Sequence, residues 1–148
     1  MNFTLKLILP LMAMLCVTSS FAQQATTQDS VVSFPVSTLK WVEIPETGGI
    51  KYANLRGDLA GKGAYEAFVI FPAGKDNPFH YHSKAIPTVV LKGTFYAVIN
   101  GVRTEYPVGS FYDIPAKFKH FSGCVNGQDC LLFQYQDGPF DLIPLKKP

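Results

Sequence analysis

Histidine occurs three times in this chain, as His80, His82 and His120, and imidazole is the commonest side-chain ligand of a first-row transition metal. In an extended strand residues i and i+2 project from one face, so His80 and His82 would point together while Tyr81 points away. Two imidazoles on one face can chelate a single ion. A third donor must come from elsewhere in the chain. Three neutral imidazoles around a dication leave both positive charges uncompensated and coordination positions open. Such a centre suits a divalent transition metal, Zn, Fe(II), Ni or Cu, and favours an anionic ligand. The competing reading of the same residues has His80 and His82 at the polar end of a surface strand, His120 in a loop, and no ion.

The elements that would have to hold such a site are short and extended. Strand-type segments run over Lys40–Ile44, Lys51–Leu55, Tyr65–Phe71, Thr88–Leu91, Phe95–Ile99, Val102–Tyr106, Phe111–Ile114 and Leu131–Tyr135, and Leu142–Leu145 closes the series. Asn100-Gly101 between two alternating runs is the sequence of a type I′ turn, which predicts a hairpin over Phe95–Tyr106. Pro72, Gly74, Pro78, Pro107, Gly109 and Pro115 interrupt every stretch before a helix could reach three turns. Many short strands at turn-like spacing predict an all-β sandwich or barrel.

Two spaced motifs enclose the histidines. The first is Gly74, five residues, His80-Tyr81-His82, three residues, Ile86, six residues and Gly93; the second is Gly109, five residues, Pro115-Ala116-Lys117, two residues and His120. These spacings resemble the two motifs of the cupin superfamily. Trp41–Pro45, Gly49–Asp58, Phe71–Gly74 and Tyr135–Asp141 are further similar to small bacterial cupins, among them exported proteins and the metal-binding cupin domain of ChrR-type anti-sigma factors. The resemblance runs from about residue 38 to 145. It implies an antiparallel double-stranded β-helix, or jelly-roll barrel, in which the strand of the second motif delivers His120 to His80 and His82 as metal ligands. Three positions depart from the family pattern: Ile86 stands where most members carry a glutamate ligand, Lys117 replaces a glycine and Cys124 an asparagine. A few cupins with a three-histidine centre, the thiol dioxygenases among them, use Fe(II) and O2. In the ChrR-like group the first motif often lacks its glutamate, and several members have no assigned activity.

Residues 1–22 read as a secretory signal peptide: a basic start ending at Lys6, an apolar run from Leu7 to Val17 and a small-residue cleavage site ending at Ala22. The run is too short to span a bilayer, and Leu15 before Cys16 speaks against a lipid anchor. Residues 23–37 are polar and aperiodic, a flexible leader into a single domain at 38–148. The exported part would carry 12 basic and 11 acidic residues, a balance with no footprint for nucleic acid, and it offers no membrane segment. A secreted or periplasmic location makes a Cys124–Cys130 disulfide the expected pairing across the turn-forming Asn126-Gly127. The rival assignment makes Cys124 a soft metal ligand or redox group.

Function divides into two main classes. One is a metalloenzyme, a dioxygenase, isomerase or lyase acting on a small anionic molecule. The other is a module that binds or senses a metal or small ligand without turnover. A structural or dimerisation unit with vestigial histidines ranks below both, and a homodimer is left open. Tyr52, Tyr65, Glu66, Tyr96, Tyr112 and Gln134 are candidates for supporting or acid/base work, each weighed against an ordinary packing role.

Overall fold

The computed structural model of the chain describes residues 31–147. The expected signal peptide and the first part of the 23–37 leader lie outside the described residues. Val36–Thr38, late in that leader, form one exposed 3-10 turn. The elements that follow are all strands: β1 (Val42–Glu43), β2 (Lys51–Gly57), β3 (Tyr65–Phe71), β4 (His80–Tyr81), β5 (Thr88–Lys92), β6 (Phe95–Ile99), β7 (Val102–Tyr106), β8 (Phe111–Tyr112), β9 (Phe121–Cys124), β10 (Cys130–Gln136) and β11 (Ile143–Pro144).

All the ladders are antiparallel. One sheet has six strands in the order β1-β2-β3-β10-β5-β8; a second set comprises β7-β6-β9 and the pair β11-β4. Isolated bridges Asp76↔Gly123 and His80↔His120 join the stretch leading into β4 to β9, so the three-stranded and two-stranded pieces form one irregular face opposite the large sheet. This is the jelly-roll sandwich expected of the pattern. The alternation of β3 is complete: Tyr65, Ala67, Val69 and Phe71 are buried and Glu66, Phe68 and Ile70 are half-buried. Inward residues of both sheets meet in one core, where the Phe71 ring packs edge-on to Phe95 with centroids 5.1 Å apart.

The Phe95–Tyr106 hairpin has the predicted turn, with Asn100 at φ 52° and Gly101 at φ 80°, the left-handed pair that type I′ requires. Three expected segments are shorter than read. Lys40–Ile44 pairs only at Val42–Glu43, Phe111–Ile114 only at Phe111–Tyr112, and Leu142–Leu145 only at Ile143–Pro144. The first two are the edges of the six-stranded sheet, where Pro45 and Pro115 follow closely and cannot donate to a ladder. Two strands, β4 and β9, have no counterpart among the expected segments.

Cys124 and Cys130 are joined in a disulfide with Cα atoms 5.8 Å apart, which excludes Cys124 as a free thiolate ligand. The loop it closes docks on the turn of the first motif. The Ala73 N–H donates to Asp129 Oδ1 at 2.9 Å, and a Cβ at Gly74 would collide with the Asn126 side chain. Gly74 is also at φ 72°, so glycine is required there twice over. The disulfide thus steadies the turn that launches the chain toward His80. Replacing both cysteines by alanine is expected to cost about 2 kcal/mol for so short a loop and to lower the melting temperature by roughly 5–10 °C. Thiol titration of the unfolded, unreduced chain lacking residues 1–22 should find no free thiol; two would overturn the pairing.

Candidate metal centre

His80 and His120 are backbone partners. The His80 N–H donates to the His120 carbonyl at 3.0 Å and the His120 N–H to the His80 carbonyl at 2.9 Å. Residues paired in this way send their side chains to the same face, and the two ring centroids lie 4.2 Å apart. His82 follows at i+2, its ring 4.7 Å from His80 and 5.6 Å from His120. One ring nitrogen from each residue lies within 4.8 Å of the others, a group that could hold a metal ion. His80 and His120 are buried and His82 is half-buried. Tyr81, between His80 and His82, is not among the residues that line the cavity beside His82 and His120.

The second motif arrives through a tight turn over Pro115–Phe118, closed by the Phe118 N–H on the Pro115 carbonyl at 3.1 Å. Lys117 sits third in it, at φ 65°. That left-handed slot is the reason the motif normally has glycine, and a lysine there costs roughly 1–2 kcal/mol. The strain is held by tertiary contact: the Lys117 N–H donates to the His82 carbonyl at 2.7 Å.

Each imidazole is oriented from behind by a main-chain carbonyl. His80 Nδ1 lies 2.7 Å from the Pro78 oxygen, His120 Nδ1 lies 2.9 Å from the Phe118 oxygen, and His82 Nδ1 contacts the Asp141 oxygen. A carbonyl can only accept, so the hydrogen of each neutral ring resides on Nδ1 and each Nε2 presents a lone pair. The Nε2 atoms of His80 and His82 are 3.1 Å apart. Two bare lone pairs at that distance repel unless a cation lies between them. Two nitrogens at 2.0–2.1 Å from one ion would be separated by about 2.9 Å at a right angle and about 3.4 Å at the tetrahedral angle. The donor set therefore fits a divalent metal.

Burial keeps the three rings neutral. Desolvation, followed by the neighbouring His120 ring, lowers His80 to about 3. Desolvation also lowers His82 and His120, against the opposing pull of the Asp141 and Phe118 carbonyls. The unfolded chain takes up these protons near pH 6.5 and the folded chain only at lower pH. Folding stability of the metal-free protein is therefore fully present above pH 6.5 and lost as pH falls from there toward 3. Protons also compete poorly for the ligands, so bound metal should be retained at pH 6.5 and released only below it. Metal content after dialysis along a pH series checks this; release with a midpoint above 6.5 would show histidines that behave as exposed ones.

A cavity of about 340 Å³ opens beside the centre, bordered by His82 and His120 with His80 behind them. Ile86 forms part of its wall and is 7% exposed, so apolar surface occupies the position where the family usually has a carboxylate. Tyr112 and Gln134, two of the candidate supporting residues, also line it, with Thr88. Desolvation holds the Tyr112 hydroxyl above its ordinary range. The other candidates stand elsewhere: Tyr52 and Tyr65 in the core, Glu66 in an ion pair with Arg56 at 3.1 Å, and Tyr96 donating to Asp76 at 2.6 Å under the Arg103 guanidinium.

Sequence reasoning missed the three carbonyls. Two of them, Pro78 and Phe118, stand two residues before the ring they orient, a local pattern shared by both motifs. The third, Asp141, is 59 residues from its histidine and is delivered by the pairing of β11 with β4; its side chain accepts from the Ser83 N–H at 2.8 Å.

Comparison with known proteins follows from this geometry. A family model described as the ChrR Cupin-like domain matches residues 28–140. No curated protein matches the chain. Among solved structures the chain is similar to an RmlC-like cupin protein of Ralstonia eutropha JMP134, at 17% identity and a TM-score of 0.64 over 80% of this chain and 74% of that one. It is also similar to the polyketide cyclase RemF of Streptomyces resistomycificus, at 18% identity and a TM-score of 0.65 over 80% and 88%. A third similarity is to a chain of the Rhodobacter sphaeroides complex of SigE with the anti-sigma ChrR, at 23% identity and a TM-score of 0.55 over 70% of this chain and 52% of that one. At these identities the structures speak for the fold, while the family model spans most of the sequence. With its jelly roll, its two spaced motifs and its three convergent histidines, the chain belongs to the ChrR cupin-like domain family of the cupin superfamily.

Proposed function

We propose that the chain is an exported, secreted or periplasmic, metal-binding cupin. It holds one divalent transition ion, Zn, Fe(II), Ni or Cu, on the Nε2 atoms of His80, His82 and His120, and presents it to a small anionic or chelating molecule in the adjoining cavity. The observation that carries this reading is the carbonyl behind every Nδ1, which leaves a free Nε2 on each of three clustered rings. A bound ion would supply Lewis-acid attraction for an oxygen of that molecule. The chain itself orients the imidazoles, keeps them unprotonated, and excludes a competing carboxylate through Ile86.

Turnover as a dioxygenase, isomerase or lyase is one use of such a centre, and RemF is a cyclase on the same fold. Capture or sensing without turnover is the second reading. It is favoured by the wall beside the histidines, where Ile86 is apolar and desolvation holds the Tyr112 hydroxyl above its ordinary range. Elemental analysis of the exported protein, purified without added metal, should find about one divalent ion per chain. A metal-free protein that takes up none of the four candidate ions at neutral pH would refute the proposal.

A further inference from the structure

The shape and lining of the cavity restrict what can bind there. Apart from the histidine end, its belly is hydrocarbon: Ile50, Leu59, Val69, Phe71, Phe95 and Phe140 all face it, and the first five are buried. Polar groups border it as well: Thr88, Tyr112 and Gln134 already named, Asn77 and Ser122 along the chain beside β9, and at the rim Glu46, Thr47, Lys75 and Asp76. Rim and metal centre are two ends of one stretch of chain. From Lys75 to His80 the backbone runs beside β9, with the Cys124 N–H on the Lys75 carbonyl at 2.9 Å, the Asn77 N–H on the Ser122 carbonyl at 2.8 Å, and His80 paired with His120. Five extended residues span at most roughly 16 Å. The cavity is thus bordered by two of the histidines, by a largely apolar wall and by the rim at Lys75, and it lies at the small end of the range of ligand pockets, about 300–1,000 Å³.

A small polar anion such as acetate would occupy the histidine end and leave the apolar wall uncovered, forgoing the burial of apolar surface that a longer ligand would gain. We infer that the natural ligand is an amphiphile, a carboxylate or enolate head on an apolar body of about six to ten carbons lying between the histidines and the Lys75 rim. This rests on the proposed metal centre for its head, and on the lining alone for its body.

The test is a chain-length series. Affinities of acetate, butanoate, hexanoate and octanoate for the zinc-loaded protein are measured by calorimetry. Each methylene that enters the cavity should raise affinity about fourfold, with the gain stopping once it is full. Leu142→Trp or Ile114→Trp, at two half-buried wall positions, should lower octanoate affinity at least tenfold and flatten the series. Binding of neutral octanol to the metal-free protein separates the two layers of inference. Octanol uptake by a protein that binds no zinc would support the apolar body and refute the metal centre. Acetate and octanoate binding equally to the loaded protein would uphold the metal centre and overturn the amphiphile.

Discussion

His82→Ala is expected to empty the metal centre while leaving the fold in place. Of the three ligands His82 is the half-buried one, whereas His80 is fully enclosed and His120 nearly so, so truncating either of those would open a void in the sandwich as well. Structural zinc sites with four ligands bind with about 10–16 kcal/mol, which is roughly 3 kcal/mol for each ligand. Losing one of three should weaken binding at least a hundredfold. After dialysis at neutral pH the wild-type protein should keep its ion and the variant should not, with both retaining the Cys124–Cys130 disulfide and a cooperative melt. Asp141→Ala is the control. Its carbonyl orients His82 and survives the substitution, so this variant loses only the side-chain contact to the Ser83 N–H and should keep the metal within about tenfold of wild type. Equal metal in wild type and His82→Ala would remove the three-histidine centre from consideration.

How much of this arrangement could be foreseen depends on what sets each part. The convergence of His80, His82 and His120 was legible because it needs only side-chain alternation in a strand and two motif spacings, and the hairpin at Asn100-Gly101 because its turn demands a positive φ at both positions. Strand β9 was not legible as a strand, and β4 only as the extended His80–His82 pair, without its partners. His80–Tyr81 is two residues long, and Phe121–Cys124 contains Ser122 and Gly123 where an apolar alternation would be sought. Both are held by partners distant in sequence, β4 by His120 and Ile143 and β9 by β6, so their extended form is a tertiary effect. The Asp141 carbonyl was invisible for the same reason. Lys117 shows the converse: a departure from the family pattern at a glycine kept the left-handed backbone, because the contact to the His82 carbonyl and the closure on Pro115 hold the turn regardless of the side chain.

The largest change of character should come from Ile86→Glu. Ile86 is almost wholly enclosed and shares the cavity wall with His82 and His120, so a carboxylate placed there enters a desolvated space. Without metal the neutral imidazoles offer it no positive charge, and it should destabilise the fold by about 1–3 kcal/mol or titrate with its proton retained. With metal, a charge about 4 Å away contributes attraction on the order of 4 kcal/mol at an effective dielectric of 20, before its desolvation is subtracted. The melting temperature should therefore rise more on metal addition in the variant than in wild type, and metal retention should increase at least tenfold. The same carboxylate neutralises one of the two charges that three imidazoles leave on the ion, so affinity for acetate and octanoate should fall. These shifts in opposite directions cannot both arise from general loosening of the fold, which would weaken metal and ligand alike. If metal retention and carboxylate affinity are both unchanged, the side chain at position 86 does not face the ion, and the centre is not the open, cationic one that its histidines imply.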